Sequence, residues 1–221
     1  MAQLPDHFAK VPVGRQRLSR EALSQHQRER ILGPATGVFA KRGYQETTID
    51  NIVAAAKASV GSFYQLFDGK EDCFLAVFDG IVLRARERIA ATVATQDGWA
   101  EKAYVGLREL LEVFVADPLA ARIVLVEAQT AGPAATARYN ELMDTTIAWL
   151  RGGRERYPAA ADLPPTFEQA TVAGFAFFLQ QRLLASEPQS VEALLADTAQ
   201  MVLEPIVGST EFSRQLAATG R

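Results

Sequence analysis

The chain has 221 residues, with 23 Lys and Arg against 26 Asp and Glu for a net charge of −3, 48% hydrophobic residues, one Cys and two His. One or two domains with a sizeable core fit that length, while a lone Cys73 excludes an internal disulfide, and Cys73, His7 and His26 are too few for a structural zinc site. No secretory h-region opens the chain and no run approaches the ~18 apolar residues of a membrane span, so a cytoplasmic protein free of membrane contact, metal and cofactor is expected. Charge is unevenly spread. Residues 1–45 carry eight basic side chains and three acids, a net +5, which leaves −8 for the remainder. A basic end on an acidic body suits contact with a polyanion.

Apolar residues recur at helical spacing throughout and strand-like alternation is absent, which predicts an all-α protein. A polar, basic arm over 1–20, expected to be mobile, precedes a helix from Glu21 with Ile31, Ala35, Val38 and Phe39 on one face, closed by a C-cap at Gly43. Gly33-Pro34 predicts a kink or break inside it, because proline removes a hydrogen bond and crowds the preceding turn. Thr47 and Thr48 are N-cap candidates for a short amphipathic helix carrying Ile49, Ile52, Val53 and Ala56. A tight turn at Lys57 and Ala58 leads to Ser59, the expected N-cap of a second short helix over 60–67. Two short helices so joined outline a helix-turn-helix. Longer helices are expected at about 70–94, 98–115, 119–130, 134–156, 165–186 and 190–206, with a short one near 211–218. Their boundaries carry turn chemistry: Asp97-Gly98, Asp117-Pro118, Gly132-Pro133, Pro158 to Pro165 and Glu187-Pro188.

Thr47 to Glu71 reads TTIDNIVAAAKASVGSFYQLFDGKE. Thr47, Thr48, Ile52, Ala56, Ser59, Gly61, Tyr64, Phe67, Lys70 and Glu71, together with Arg42-Gly43-Tyr44 just upstream, stand at positions that resemble the DNA-binding motif of the tetracycline-repressor (TetR) family without a gap. The resemblance is specific over roughly residues 28–80 and rests on length and helix count beyond them. It implies a three-helix DNA-binding domain over 21–70 and a larger helical ligand-binding and dimerisation domain over 71–221. Lys57 replaces the glycine usual in the turn, so a non-glycine residue is expected at positive φ. Val60 stands where the family often has lysine, which leaves 59–67 without charge.

A 100° wheel over 60–67 puts Phe63, Leu66 and Phe67 on one side and Gly61 and Gln65 on the other, flanked by Ser62 and Tyr64. Gly61 allows close backbone approach, the hydroxyls suit phosphate, and Gln65 can pair with a base edge such as adenine. The expected DNA-facing set is therefore Thr47, Thr48, Lys57, Ser59, Val60, Gly61, Ser62, Tyr64, Gln65 and Lys70. Arg42 and the arm residues Arg15, Arg17 and Arg20 add phosphate attraction, and Val60 is expected to meet a thymine methyl or pack on the first helix.

For the body, the resemblance implies a pocket among the helices from 98 to 178, for which Tyr104, Phe114, Glu127, Trp149, Phe175 and Phe178 are candidates. Glu127 follows an apolar run and is either turned to solvent or buried to meet a donor on a ligand. The last two long helices are expected to pair with a second copy through Phe167, Leu179, Leu183, Leu194, Met201 and Val202. No phosphate-binding loop, GxGxxG or nucleophile with a histidine partner is present, which argues against an enzyme. The expected function is that of a homodimeric repressor on a palindromic double-stranded DNA operator, released by a small, largely apolar effector; the alternative is a helical ligand-binding or interaction protein with no specific operator.

Overall fold

A computed structural model describes the backbone of residues 20–185 and 190–219, and the side chains of 25, 27–185 and 190–214. The expected arm with Arg15 and Arg17, the side chains of Arg20 and His26, and the Glu187-Pro188 break lie outside the described residues. The helices are α1 (Arg20–Arg42), α2 (Ile49–Ala56), α3 (Val60–Tyr64), α4 (Lys70–Val93), α5 (Trp99–Ala116), α6 (Pro118–Leu125), α7 (Pro133–Arg154), α8 (Phe167–Ala185), α9 (Val191–Val207) and α10 (Ser209–Thr219). Single 3-10 turns at Glu127–Gln129 and Pro158–Ala160 complete the elements, and no strand occurs among the described residues.

The apolar faces form two cores. The first joins Ile31, Ala35 and Phe39 of α1, Ile52, Val53 and Ala56 of α2, Phe63 of α3, Phe67, and Phe74, Val77 and Phe78 of α4. The second is built from α5, α8, α9 and α10 around Leu107, Leu111, Leu179, Leu195, Leu203 and Phe212. α6 belongs to both, for Ala120 and Ile123 enter the first core while Leu125 enters the second. Asp117 caps it by accepting from Ala120 N at 2.9 Å, with Pro118 at the position where a missing N–H costs nothing.

Of the kink or break expected at Pro34, the break does not occur, and α1 runs continuously through it. The carbonyl that loses its N–H partner belongs to Arg30, which is exposed and can bond water, whereas Ile31, Ala35 and Phe39 on the opposite face are buried. α3 is shorter than expected and ends at Tyr64. Its continuation is unwound where Arg28 of α1 donates to the Leu66 carbonyl at 3.2 Å and lies 4.7 Å over the Phe67 ring, which fixes Phe67 in the core.

Polar contacts join the first core to the body. Glu127, 4% exposed, accepts the Tyr44 N–H at 2.9 Å and meets Arg122 Nε of α6 at 3.3 Å. Gln45 donates to the Thr130 carbonyl at 2.8 Å. A second staple holds the loop before α8, where Arg154 donates to Glu168 at 2.6 Å and to the carbonyls of Leu163 and Pro164 at 2.8 and 2.7 Å. Burial alone would raise the Glu168 carboxyl, but the Arg154 hydrogen bond and charge outweigh it and hold the group below its ordinary value.

Three outcomes follow from this packing. Glu127→Ala should cost about 1–3 kcal/mol in urea unfolding because it strands a buried N–H, and Glu127→Gln should cost less because the amide oxygen still accepts it. Arg154→Met should cost about 3 kcal/mol at neutral pH by leaving a buried carboxylate unpaired. The contribution of a depressed carboxyl is present at neutral pH and lost as pH falls through its folded pKa, so that difference should shrink in acid unfolding curves. Cys73 is fully buried, and burial, reinforced by Asp72 and opposed by Arg28, pushes its thiol up to about 12. It should resist thiol reagents at pH 8 in the native chain and react promptly in denaturant, against a redox-sensing role.

Candidate nucleic-acid interface and ligand cavity

The helix-turn-helix is set by its caps. Thr48 caps α2 by accepting from Asn51 N at 3.2 Å while Asn51 Oδ1 accepts from Thr48 N at 3.2 Å, a reciprocal capping box. α2 ends in a Schellman arrangement: Lys57 adopts φ 50° and ψ 43°, its N–H bonds Ala54 O, and Ala58 N bonds Val53 O at 2.9 Å. Lys57 is the one non-glycine residue at positive φ among the described residues, as its place in the motif predicts. Ser59 then caps α3, accepting from Ser62 N at 3.0 Å, with the two hydroxyls 2.8 Å apart.

Phe63 is fully buried, and its T-shaped contact with Tyr64, at 5.6 Å between ring centroids, stands at the border between core and surface. Tyr64 itself is 55% exposed and Val60 43% exposed, and Ser59, Gly61, Ser62 and Gln65 are exposed with them. Val60 therefore does not pack into the first core. Thr48, Lys57 and Arg42 also lie open around this face.

Two residues expected to face DNA do other work. Thr47 is buried, and its hydroxyl donates to Gly43 O at 2.7 Å, closing the turn between α1 and α2. Lys70 donates to the carbonyls of Tyr44 and Gln45 at 2.9 and 3.3 Å and sits 4.4 Å over the Tyr44 ring, so its ammonium braces that same turn. The capping run of two threonines hid the first role, because either can cap a helix and only one can occupy the exposed position.

The body encloses a cavity of about 550 Å³ lined from α4, α5, α6, α7, α8 and α9. Phe114, Trp149 and Phe175 line it as expected. Tyr104 and Phe178 are not among the lining residues: Tyr104 is buried in the second core, and Phe178 packs against that core with Arg182 5.0 Å over its ring. Glu127 is buried, but its carboxylate serves the α1–α2 turn, which removes it from the pocket. α4 is the larger omission. Val82, Ala85, Arg86, Ile89 and Val93 all line the cavity, and their helical spacing, with an arginine inside an apolar stripe, was a usable signal. Trp99 stacks on Trp149 at 5.2 Å and presses on Gly153, where a Cβ would come within 2.4 Å of the indole.

Of the expected pairing residues, Leu179, Leu194 and Val202 are buried inside the single chain, and Phe167 and Leu183 pack partly against the same core. The three buried side chains are used by this chain's own core, whereas Phe167 and Leu183 keep part of their surface and Met201, also expected in the seam, is exposed. The outward apolar residues of α8 and α9 are Phe177, Leu184 and Met201, 60%, 48% and 46% exposed.

Comparison with known proteins follows the same division. Residues 31–77 match the family model described as bacterial regulatory proteins, tetR family. An uncharacterized HTH-type transcriptional regulator in the lacX 3' region of Lactococcus lactis subsp. lactis is 29% identical over 90 residues, 41% of this chain and 44% of that protein. The chain thus aligns with less than half the length of the curated relatives it matches. Over the fold, it resembles the FadR transcriptional regulator of Bacillus subtilis solved with stearoyl-CoA, at TM-score 0.66 and 17% identity across 79% of this chain and 97% of that one. A gamma-butyrolactone receptor described as ArpA-like gives TM-score 0.67 and 22% identity across 90% and 97%. No described helix is long and apolar enough to cross a membrane. Over residues 31–77, the helix-turn-helix segment is thus similar to the tetR family of bacterial regulatory proteins.

Proposed function

We propose that the chain is a cytoplasmic transcription regulator that binds a palindromic DNA operator as a homodimer and leaves it when a small, largely apolar molecule enters the body cavity. The observation that carries this reading is the two-sided α3: Phe63 is fully buried in the core, while Val60, Gly61, Ser62, Tyr64 and Gln65 are exposed. In this reading α3 enters the major groove, Gln65 reads a base edge, and Ser59, Ser62 and Tyr64 bond phosphate or sugar. Because residues 59–67 carry no charge, phosphate attraction falls to Lys57, Arg42 and the arm bearing Arg15, Arg17 and Arg20. The second copy joins through the outward face of α8 and α9. The neighbours' ligands, stearoyl-CoA in one and a gamma-butyrolactone in the other, support an effector role for the cavity.

The mechanism follows from where α6 sits. Ala120, Ala121, Val124 and Leu125 line the cavity, while Ala120 and Ile123 belong to the DNA-binding core and Arg122 meets Glu127. A ligand that prefers a shifted α6 lowers operator affinity by its differential affinity for the two states.

Selection from random duplex DNA by the purified full chain, at two salt concentrations, tests the reading. A palindrome with half-sites about 34–36 Å apart is expected. Gln65→Ala should cost about 1–3 kcal/mol and relax the preference at one position per half-site. Arg42→Ala should weaken all sequences alike and lower the salt slope by about 1. Weak retention without sequence preference, lost with salt, would overturn the regulator reading in favour of a helical ligand-binding or interaction protein.

A further inference from the structure

The cavity is chemically lopsided. Its walls are aliphatic and aromatic side chains such as Ile89, Val93, Leu107, Leu110, Val124 and Phe175, and its polar side chains are few. Thr145 and Thr146 line it, yet their hydroxyls donate back to the carbonyls of Glu141 and Leu142 at 2.8 and 2.9 Å, which leaves them as acceptors towards a guest. Arg86 is the one lining residue that carries a charge. It is exposed, on α4, and it makes no ion pair or hydrogen bond with a described residue. Arg88, two residues further along α4, is taken by Glu109 at 2.6 Å, and Arg138 of α7 is engaged by Asp79 and Glu141.

A guanidinium offers a fork of donors that matches a carboxylate or phosphate, and an arginine set in an apolar wall lays its stem along that wall with the charged end towards water. The ligand best matched to such a site is charged at one end and apolar along the rest. From this we infer that the effector is an anionic amphiphile, an aliphatic chain within the cavity with its carboxylate or phosphate head on Arg86. This rests on the ligand-responsive reading above and deepens it to a chemical class.

The chain carries its own reporter. Its two tryptophans are Trp149, in the cavity wall, and Trp99, stacked upon it. Tryptophan emission of the full chain would be titrated with decanoate, undecanoate and dodecanoate, with dodecyl phosphate, with dodecanol, and with dodecyltrimethylammonium, all below micelle formation. Binding of the carboxylates should tighten about fourfold per added methylene until the cavity is full. Dodecanoate and dodecyl phosphate should bind at least tenfold more tightly than dodecanol, and the cation more weakly still. Arg86→Gln should erase the preference of acid over alcohol, and Arg86→Lys should restore part of it. Comparing dodecanoate with dodecyl phosphate distinguishes a fatty carboxylate from a phosphorylated carrier of the same chain.

Equal affinity for acid and alcohol, or an acid preference that survives Arg86→Gln, would overturn the charged-head assignment. Silence of the tryptophans and no thermal shift with every probe would overturn the amphiphile class altogether. Tight, Arg86-dependent binding that leaves operator retention unchanged would support the ligand class and sink the regulatory reading instead.

Discussion

One buried carboxylate joins the two halves of this protein. Glu127 sits just past α6, accepts the first N–H beyond the Gly43 cap of α1, and is met by Arg122 one turn earlier in its own segment. A carboxylate at this depth is tolerable only with partners, and both partners are structural. Gly43 holds the turn at φ +81°, a left-handed backbone conformation that side chains rarely adopt. Lys70 grips the other side of the same turn through the Tyr44 and Gln45 carbonyls. The α1–α2 turn, from which the helix-turn-helix hangs, is thus held by a charge from the body and a charge from α4. Glu127 cannot serve a ligand without releasing the turn, whereas the Lys70 ammonium spends two of its three donors on it.

Much of this was legible in the residues and the remainder was not, for identifiable reasons. Helical periodicity located the ten α-helices of the described residues, because each buries one stripe and the turn residues between stripes are chemically distinct, but it ran α6 on to residue 130 and gave no 3-10 turn at Glu127–Gln129 or Pro158–Ala160. The exposed side of α3 followed from the wheel that puts Phe63 inside. Helix length did not follow, because α3 is cut short by Arg28, a residue 38 positions from the carbonyl it bonds. Pro34 does not end α1, since burial of Ile31, Ala35 and Phe39 holds the helix together across the break that a local rule allows. Charged and polar residues were the least readable. Thr47, Lys70 and Glu127 each suit DNA or a ligand by type, and each is taken by a backbone group far away in the sequence or across the turn.

The uncharged reading head has a consequence for how DNA contact would be shared. Residues 59–67 bring no lysine or arginine to the groove, so the steep salt dependence of a phosphate-binding protein must arise around the helix rather than on it. Lys57 occupies the left-handed C-cap of α2, a conformation that costs a side chain free energy and favours glycine. Its ammonium is exposed beside α3, which offers a reason for a lysine in a strained position that packing alone does not supply.

Magnitudes limit how the cavity could act on α3. Moving a two-state equilibrium from 1:99 to 99:1 takes about 5.5 kcal/mol of differential binding. A charge-assisted hydrogen bond such as Tyr44 N–H to Glu127 is worth about 1.5–3 kcal/mol net, so loosening that contact alone falls short. The remainder has to come from apolar packing, and α6 is where it can be gathered, since Ala120 faces the cavity and the first core at once and Ile123 is wholly buried in the latter. A displaced α6 would lose close-packed contacts on the DNA-binding side while gaining ligand contacts on the other, and dense cores respond to such a choice by switching rather than by bending. In the proposed switch, Glu127 would set which position of the α1–α2 turn goes with which position of α6, and the apolar faces of α6 would supply the energy of the change.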